Sequence, residues 1–237
     1  MENIRLFCLP CAGGSSQMYS GWKKYLNECI ILHNVELSGR GTRFGSDLYN
    51  CFNDAVDDVY NSIKDYLDKG PYAFFGHSMG GWLVYELACK IKEEHHTSPA
   101  HIFIAAQEAP HILQDRHFFL HKLPMNSFKN EIIKLGGIPK ELCENKEIFD
   151  FYLPIIKSDY KITENYVWRE RKDKLDCDFT VLYGNKDNIE IDKVLKWCEL
   201  TEKESKTYSF DGGHFFIVEY VEKVTDLINY RLVNNIN

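Results

Sequence analysis

The chain has 237 residues, of which 44% are hydrophobic, 14% aromatic and 27% charged. That length buries a full core in one domain without disulfide or metal staples, and the lack of long polar tracts or a fixed repeat excludes a disordered or solenoid protein. With 28 basic against 35 acidic residues the net charge is −7, so there is no basic excess to displace counterions and nucleic acid is not an expected partner.

Short β-rich runs alternate with longer helical patterns, the signature of a mostly parallel sheet flanked by helices. The first strand candidate is Ile4–Leu9, ended by Pro10, and the second is Ile30–Val35. No signal-peptide core precedes them, and no apolar run approaches the roughly 18 residues of a membrane span, so the cytoplasm is the expected location and no membrane association is expected. A helix is predicted from about Asn53 to Asp68, because Phe52, Ala55, Val56, Val59 and Ile63 fall at helical spacing before Gly70-Pro71. Strand Tyr72–Phe75 follows, then a helix after Ser78 with Leu83, Val84, Leu87, Ala88 and Ile91 on one side. His101–Ala106 is the fourth strand candidate.

Between Pro110 and about Glu170 the alternation lapses. Helical patterns run over Phe128–Leu135, Lys146–Ile156 and Ile162–Trp168, with a turn at Gly136-Gly137-Ile138-Pro139. Residues 111–170 carry 9 basic and 9 acidic side chains, so the rest of the chain holds the whole negative charge. A segment of different charge balance between two core strands reads as a helical lid inserted in a single domain that spans 1–237. Strands Phe179–Tyr183 and Thr207–Phe210 resume the alternation, and a helix bearing Val221, Val224, Leu227 and Ile228 closes it.

Eight cysteines lie mostly in apolar surroundings and read as reduced, small hydrophobes. Cys8 and Cys11 form a C-x-x-C, but no second ligand pair exists for zinc and the motif does not open a helix, so neither a metal nor redox chemistry is expected. The glycine-rich stretch Gly39–Gly45 follows a strand yet leads into no helix, and Leu9–Ser15 lacks a following Gly-Lys-Ser/Thr. No cofactor is therefore expected, and Gly39–Gly45 reads as a structural loop anchored by Arg40.

Gly76-His77-Ser78-Met79-Gly80 matches G-x-S-x-G between a buried strand and a helix, the setting of a nucleophile elbow. A serine hydroxyl needs a base to take its proton and an acid to orient that base. His214 suits the base, since it follows the turn Asp211-Gly212-Gly213 directly after a strand. Asp187 suits the acid, in a turn behind the preceding strand and 27 residues before His214, with Glu190, Asp192 and Asp211 as rivals. An oxyanion hole needs two backbone N–H groups. Met79 is the candidate for one, and the loop after the first strand supplies the other, from Ala12 or alternatively Cys11.

Together these residues resemble the type II thioesterases that accompany nonribosomal peptide and polyketide synthases, members of the α/β-hydrolase superfamily. The resemblance runs over nearly the whole chain: Leu9–Gly14, Glu36–Arg43 with its Gly-Arg-Gly-x-Arg, the elbow, Leu135–Pro139, Leu153-Pro154 with Asp159, Gly184 with Asp187, and Gly213-His214-Phe215-Phe216. It departs at Ser38, where the family usually has proline, and at Cys177-Asp178, where Cys-Pro is common. The resemblance implies an α/β-hydrolase fold and hydrolysis of acyl or aminoacyl thioesters from the phosphopantetheine arms of carrier proteins, through Ser78, Asp187 and His214. It also implies acyl-loaded carrier domains as partners. The neutral charge balance of the inserted segment makes it the expected docking surface, through Lys122, Lys129, Lys134 and Lys140, unless these are merely solvated helix faces. A monomer is expected. The residues alone reach a serine hydrolase, which leaves a general carboxylesterase, a medium-chain acyl thioesterase or, more remotely, a non-catalytic binding protein of the same fold as alternatives.

Overall fold

All six strand candidates form one sheet in the computed structural model, which describes residues 3–112, 118–134 and 145–233. The strands are β1 (Ile4–Leu9), β2 (Ile30–Asn34), β3 (Tyr72–His77), β4 (His101–Ala105), β5 (Asp178–Gly184) and β6 (Ser205–Phe210). They lie in the order β2-β1-β3-β4-β5-β6, and every pairing is parallel. Every residue of β3 and β4 is buried, as expected of central parallel strands covered on both faces.

Strand alternation sends side chains into two cores. Phe7, Phe74, Ile102, Ile104 and Val181 face one side and pack with α1 (Phe52–Ile63) and α2 (Met79–Glu93). Leu6, Cys8, Phe75 and Phe103 face the other, beneath Tyr19, Trp22 and the closing helix. The helix expected over 53–68 stops at Ile63 and tightens into a 3-10 turn at Lys64–Tyr66.

Between β4 and β5 lie α3 (Met125–Lys134) and α4 (Lys146–Glu164), which share a small core of Phe128, Ile132, Phe149, Leu153 and Ile156. The expected turn at Gly136–Pro139 falls outside the described residues. Two separate helices expected at 146–156 and 162–168 are instead the single helix α4, and the chain leaves it at Asn165. The stretch between them continues the helix, and its Asp159 is 1% exposed and belongs inside. Beyond α4, Glu86 of α2 receives the Tyr166 hydroxyl at 2.5 Å and the Arg171 guanidinium at 2.6 Å. The short α5 (Ile191–Leu195) and α6 (Phe216–Glu219) precede α7 (Val221–Val233), the predicted closing helix. Among the described residues no helix is long and apolar enough to cross a membrane.

Two imidazoles are buried in the sheet, His77 on β3 and His101 on β4, the latter bonded to the Thr180 hydroxyl at 2.8 Å. Burial pushes both down to about 3, against an unfolded value of about 6.5. The unfolded chain therefore binds more protons between those values, so stability is complete above about pH 6.5 and falls as pH drops toward 3. Each imidazole is expected to remove about 2 kcal/mol by pH 5. Urea unfolding at pH 7.5 and 5 checks this, and His101→Gln should lessen the loss.

Candidate active site

The parallel sheet delivers the ends of its strands to one edge, and the chemistry-bearing residues gather there. Ser78 follows β3 directly and precedes α2, with φ 54° and ψ −120°, a conformation that costs a non-glycine residue energy. Its amide donates to the Ala105 carbonyl at 2.8 Å, and its carbonyl accepts from Gly81 at 2.8 Å. The flanking glycines are sterically required. A Cβ at Gly76 would lie 2.1 Å from the Gly80 oxygen, and one at Gly80 would lie 2.3 Å from the Leu9 oxygen.

Asp187 lies in the turn behind β5 and His214 in the turn behind β6. The His214 Nδ1 and Asp187 Oδ2 are 2.8 Å apart, and the side chains are 19% and 5% exposed. A carboxylate only accepts, so Nδ1 carries the proton and Nε2 is left as the basic nitrogen. The other Asp187 oxygen takes the Asn188 amide at 2.7 Å, which fixes the carboxylate plane. The rival acids are committed elsewhere: Asp211 pairs with Lys186 at 2.9 Å and Glu190 with Lys193 at 2.5 Å, while Asp192 is exposed in the first turn of α5.

Ser78, Met79, Ala12, Asp187 and His214 all line one pocket of about 250 Å³. In the loop after β1, the Gly13 amide donates to Asp159 at 2.7 Å and the Gly14 amide to the Cys11 carbonyl at 2.9 Å. Ala12 and Cys11 also line the pocket, so both remain placed to offer an amide to it. Burial pushes the Cys11 thiol up to about 12, which keeps it protonated and unreactive. Tyr160, Thr163 and Glu164 of α4 form the far wall. Among the lysines considered as docking contacts, Lys129 pairs with Asp150 and Lys134 with Glu131, Lys122 lies over the Phe119 ring, and Lys140 falls outside the described residues.

Two supporting residues carry roles that sequence reasoning missed. His77, next to the nucleophile in the elbow, has its Nε2 2.8 Å from the His214 carbonyl oxygen. Its depressed titration keeps the ring neutral, so Nε2–H donates and holds the His214 loop. Asp159 of α4 meets Arg40 through two hydrogen bonds of 2.5 and 2.8 Å, both side chains essentially without solvent. The same carboxylate takes the Gly13 amide, and a Cβ at Gly13 would lie 2.4 Å from Ile156. The only signal available was the pairing of Gly-Arg-Gly-x-Arg with Asp159 in the family pattern, which gives positions without contacts.

A family profile described as Thioesterase domain matches residues 4–232. The S-acyl fatty acid synthase thioesterase, medium chain, of Anas platyrhynchos is 31% identical over 95% of this chain and 90% of its own length. Among solved structures, ClbQ from the colibactin NRPS/PKS pathway is 36% identical, with a TM-score of 0.94 over 98% of each chain. The type II thioesterase BorB from the borrelidin biosynthetic cluster is 26% identical, with a TM-score of 0.88 over 97% of this chain and 93% of its own. The fold is that of the α/β-hydrolases, as expected from the resemblance.

Breaking the Arg40–Asp159 pair leaves a buried guanidinium without its counter-charge. Asp159→Asn is expected to cost about 3–5 kcal/mol in urea unfolding, whereas the double variant Arg40→Met with Asp159→Leu should recover much of that loss.

Proposed function

The chain belongs to the thioesterase domain family, and we propose that it is a type II enzyme that hydrolyses acyl or aminoacyl thioesters from the phosphopantetheine arms of carrier proteins, clearing stalled or misprimed arms. The observation that carries the reading is the convergence of a strained Ser78 with the His214–Asp187 pair on one pocket, in a chain so similar to ClbQ.

In the proposed cycle His214 Nε2 accepts the Ser78 proton as the hydroxyl oxygen attacks the thioester carbonyl. The Met79 and Ala12 amides donate to the oxyanion, at the positive end of α2. Asp187 stabilises the imidazolium, which hands its proton to the departing pantetheine thiolate and so returns to the neutral base; departure is easy because a thiol is far more acidic than an alcohol. Water then gives a proton to His214 and attacks the acyl-enzyme, which releases the carboxylic acid and restores Ser78. Helices α3 and α4 act as the lid, with α4 covering the acyl group while the arm enters beside it.

A second reading, a medium-chain acyl thioesterase, is favoured by the likeness to the Anas platyrhynchos protein. Hydrolysis of an acetyl-phosphopantetheinyl carrier protein, acetyl-CoA and a p-nitrophenyl ester separates these readings from a general esterase. The carrier-bound thioester is expected to win, and Ser78→Ala to lose turnover by at least 1,000-fold with its fold intact. Preference for the free ester, or unchanged turnover in Ser78→Ala, would overturn the assignment.

A further inference from the structure

We infer that Trp82 is the specificity-determining residue of the acyl pocket, closing its floor so that the site takes acyl groups of about two to four carbons and excludes medium chains. The inference rests on the thioester-hydrolase reading of the same site. Trp82 stands four residues after Ser78, one turn along α2 and on the same face. It lines the pocket that holds Ser78, yet it is only 1% exposed, so most of the indole serves as wall rather than as surface.

Behind that wall lies a second ring. Tyr166 sits 5.2 Å from Trp82 at an interplanar angle of 32°, and packs in turn on Phe52 at 4.5 Å. Tyr166 lines a separate polar pocket of about 180 Å³ that also contains Glu86 and Arg171. Two aromatic rings in tilted contact therefore stand between the catalytic pocket, lined by Trp82, and the second cavity, lined by Tyr166. Both are pinned: Trp82 Nε1 donates to the Glu108 carbonyl at 2.8 Å, and the Tyr166 hydroxyl donates to Glu86 at 2.5 Å. A side chain held at both ends does not swing aside for a longer chain.

The remaining space is small. The catalytic pocket measures about 250 Å³, below the roughly 300–1,000 Å³ of sites that enclose drug-sized ligands, and part of it must admit the arm. Each methylene taken from water into an apolar pocket is worth about fourfold in binding, so a medium chain that cannot enter forfeits that gain several times over. Truncating Trp82 adds its volume to the pocket, because Tyr166, tied to Glu86, stays in place instead of collapsing inward.

The test is a chain-length series of acyl thioesters of N-acetylcysteamine, acetyl to dodecanoyl, on the wild type, Trp82→Ala and Trp82→Leu. Thermal melts and circular dichroism confirm that each variant is folded. The wild type is expected to lose kcat/KM beyond butanoyl, with octanoyl at least tenfold below acetyl. The octanoyl-to-acetyl ratio should rise at least tenfold in Trp82→Ala and less in Trp82→Leu. A wild type that prefers octanoyl, or folded variants whose ratio moves less than twofold, overturns the inference while leaving the thioesterase reading intact. Should the wild type cleave no thioester of any length, the thioesterase reading fails instead. The floor is then read from the rate at which alkyl fluorophosphonates of the same lengths label Ser78. The same tenfold rise of the octyl-to-ethyl ratio on Trp82 truncation supports the inference, and an unchanged ratio overturns it.

Discussion

A guanidinium with no contact to solvent must keep its counter-charge in place, and among the described residues Arg40 meets that demand with Asp159. The cost of withdrawing both ions from water is several kcal/mol each, so the pair is tolerated only because its hydrogen bonds are well made. Asp159 also takes the Gly13 amide, and Arg40 also donates to the Gly14 and Ser38 carbonyls. Three segments far apart in sequence are thereby locked together: the loop after β1, the loop after β2 and the middle of α4. The same helix supplies Tyr160, Thr163 and Glu164 to the pocket, so the size of the pocket follows from where this ion pair holds α4.

The sheet imposes the second constraint. Because all five pairings are parallel, the loops after β1, β3, β5 and β6 emerge at one edge, and Ala12, Ser78, Asp187 and His214 need no long excursions to meet there. The elbow tightens this arrangement. With Gly80 packed against the Leu9 carbonyl, the start of α2 touches the end of β1, and any side chain at position 80 would force the two apart. His77 extends the same tie to the loop after β6 by holding the His214 carbonyl.

Much of this was legible in the sequence. Several strands, β3 and β4 above all, read as near-continuous apolar runs because both of their faces are covered, and the turn residues around Gly76, Gly184 and Gly212 pointed to Ser78, Asp187 and His214. What stayed hidden shares one cause. Pattern reading treats a charged residue as a surface residue, so the periodicity of α4 gives no sign that Asp159 is among the most buried side chains there. Its partner lies 119 residues away, and no local spacing announces a contact of that range. Trp82 was similarly invisible: its position marked only the onset of a helix, and the face it presents is defined by Tyr166, just past α4 near the end of the inserted segment.

The two halves of the molecule divide the task of selecting a substrate. A thioester is an activated bond, so the elbow and the imidazole have little to gain from gripping the acyl group tightly. An apolar pocket also distinguishes neighbouring chain lengths weakly, about 1–3 kcal/mol per methylene, when it works by attraction. A fixed aromatic floor works by exclusion instead, and treats every short acyl group alike while refusing long ones. On the proposed reading, in which varied small acyl groups are removed from a common arm, uniform acceptance below a limit of length serves better than affinity for any one of them. Trp82 sets that limit from the rigid α2 beneath the nucleophile, while the wall contributed by α4 is held at a distance by Arg40 and Asp159.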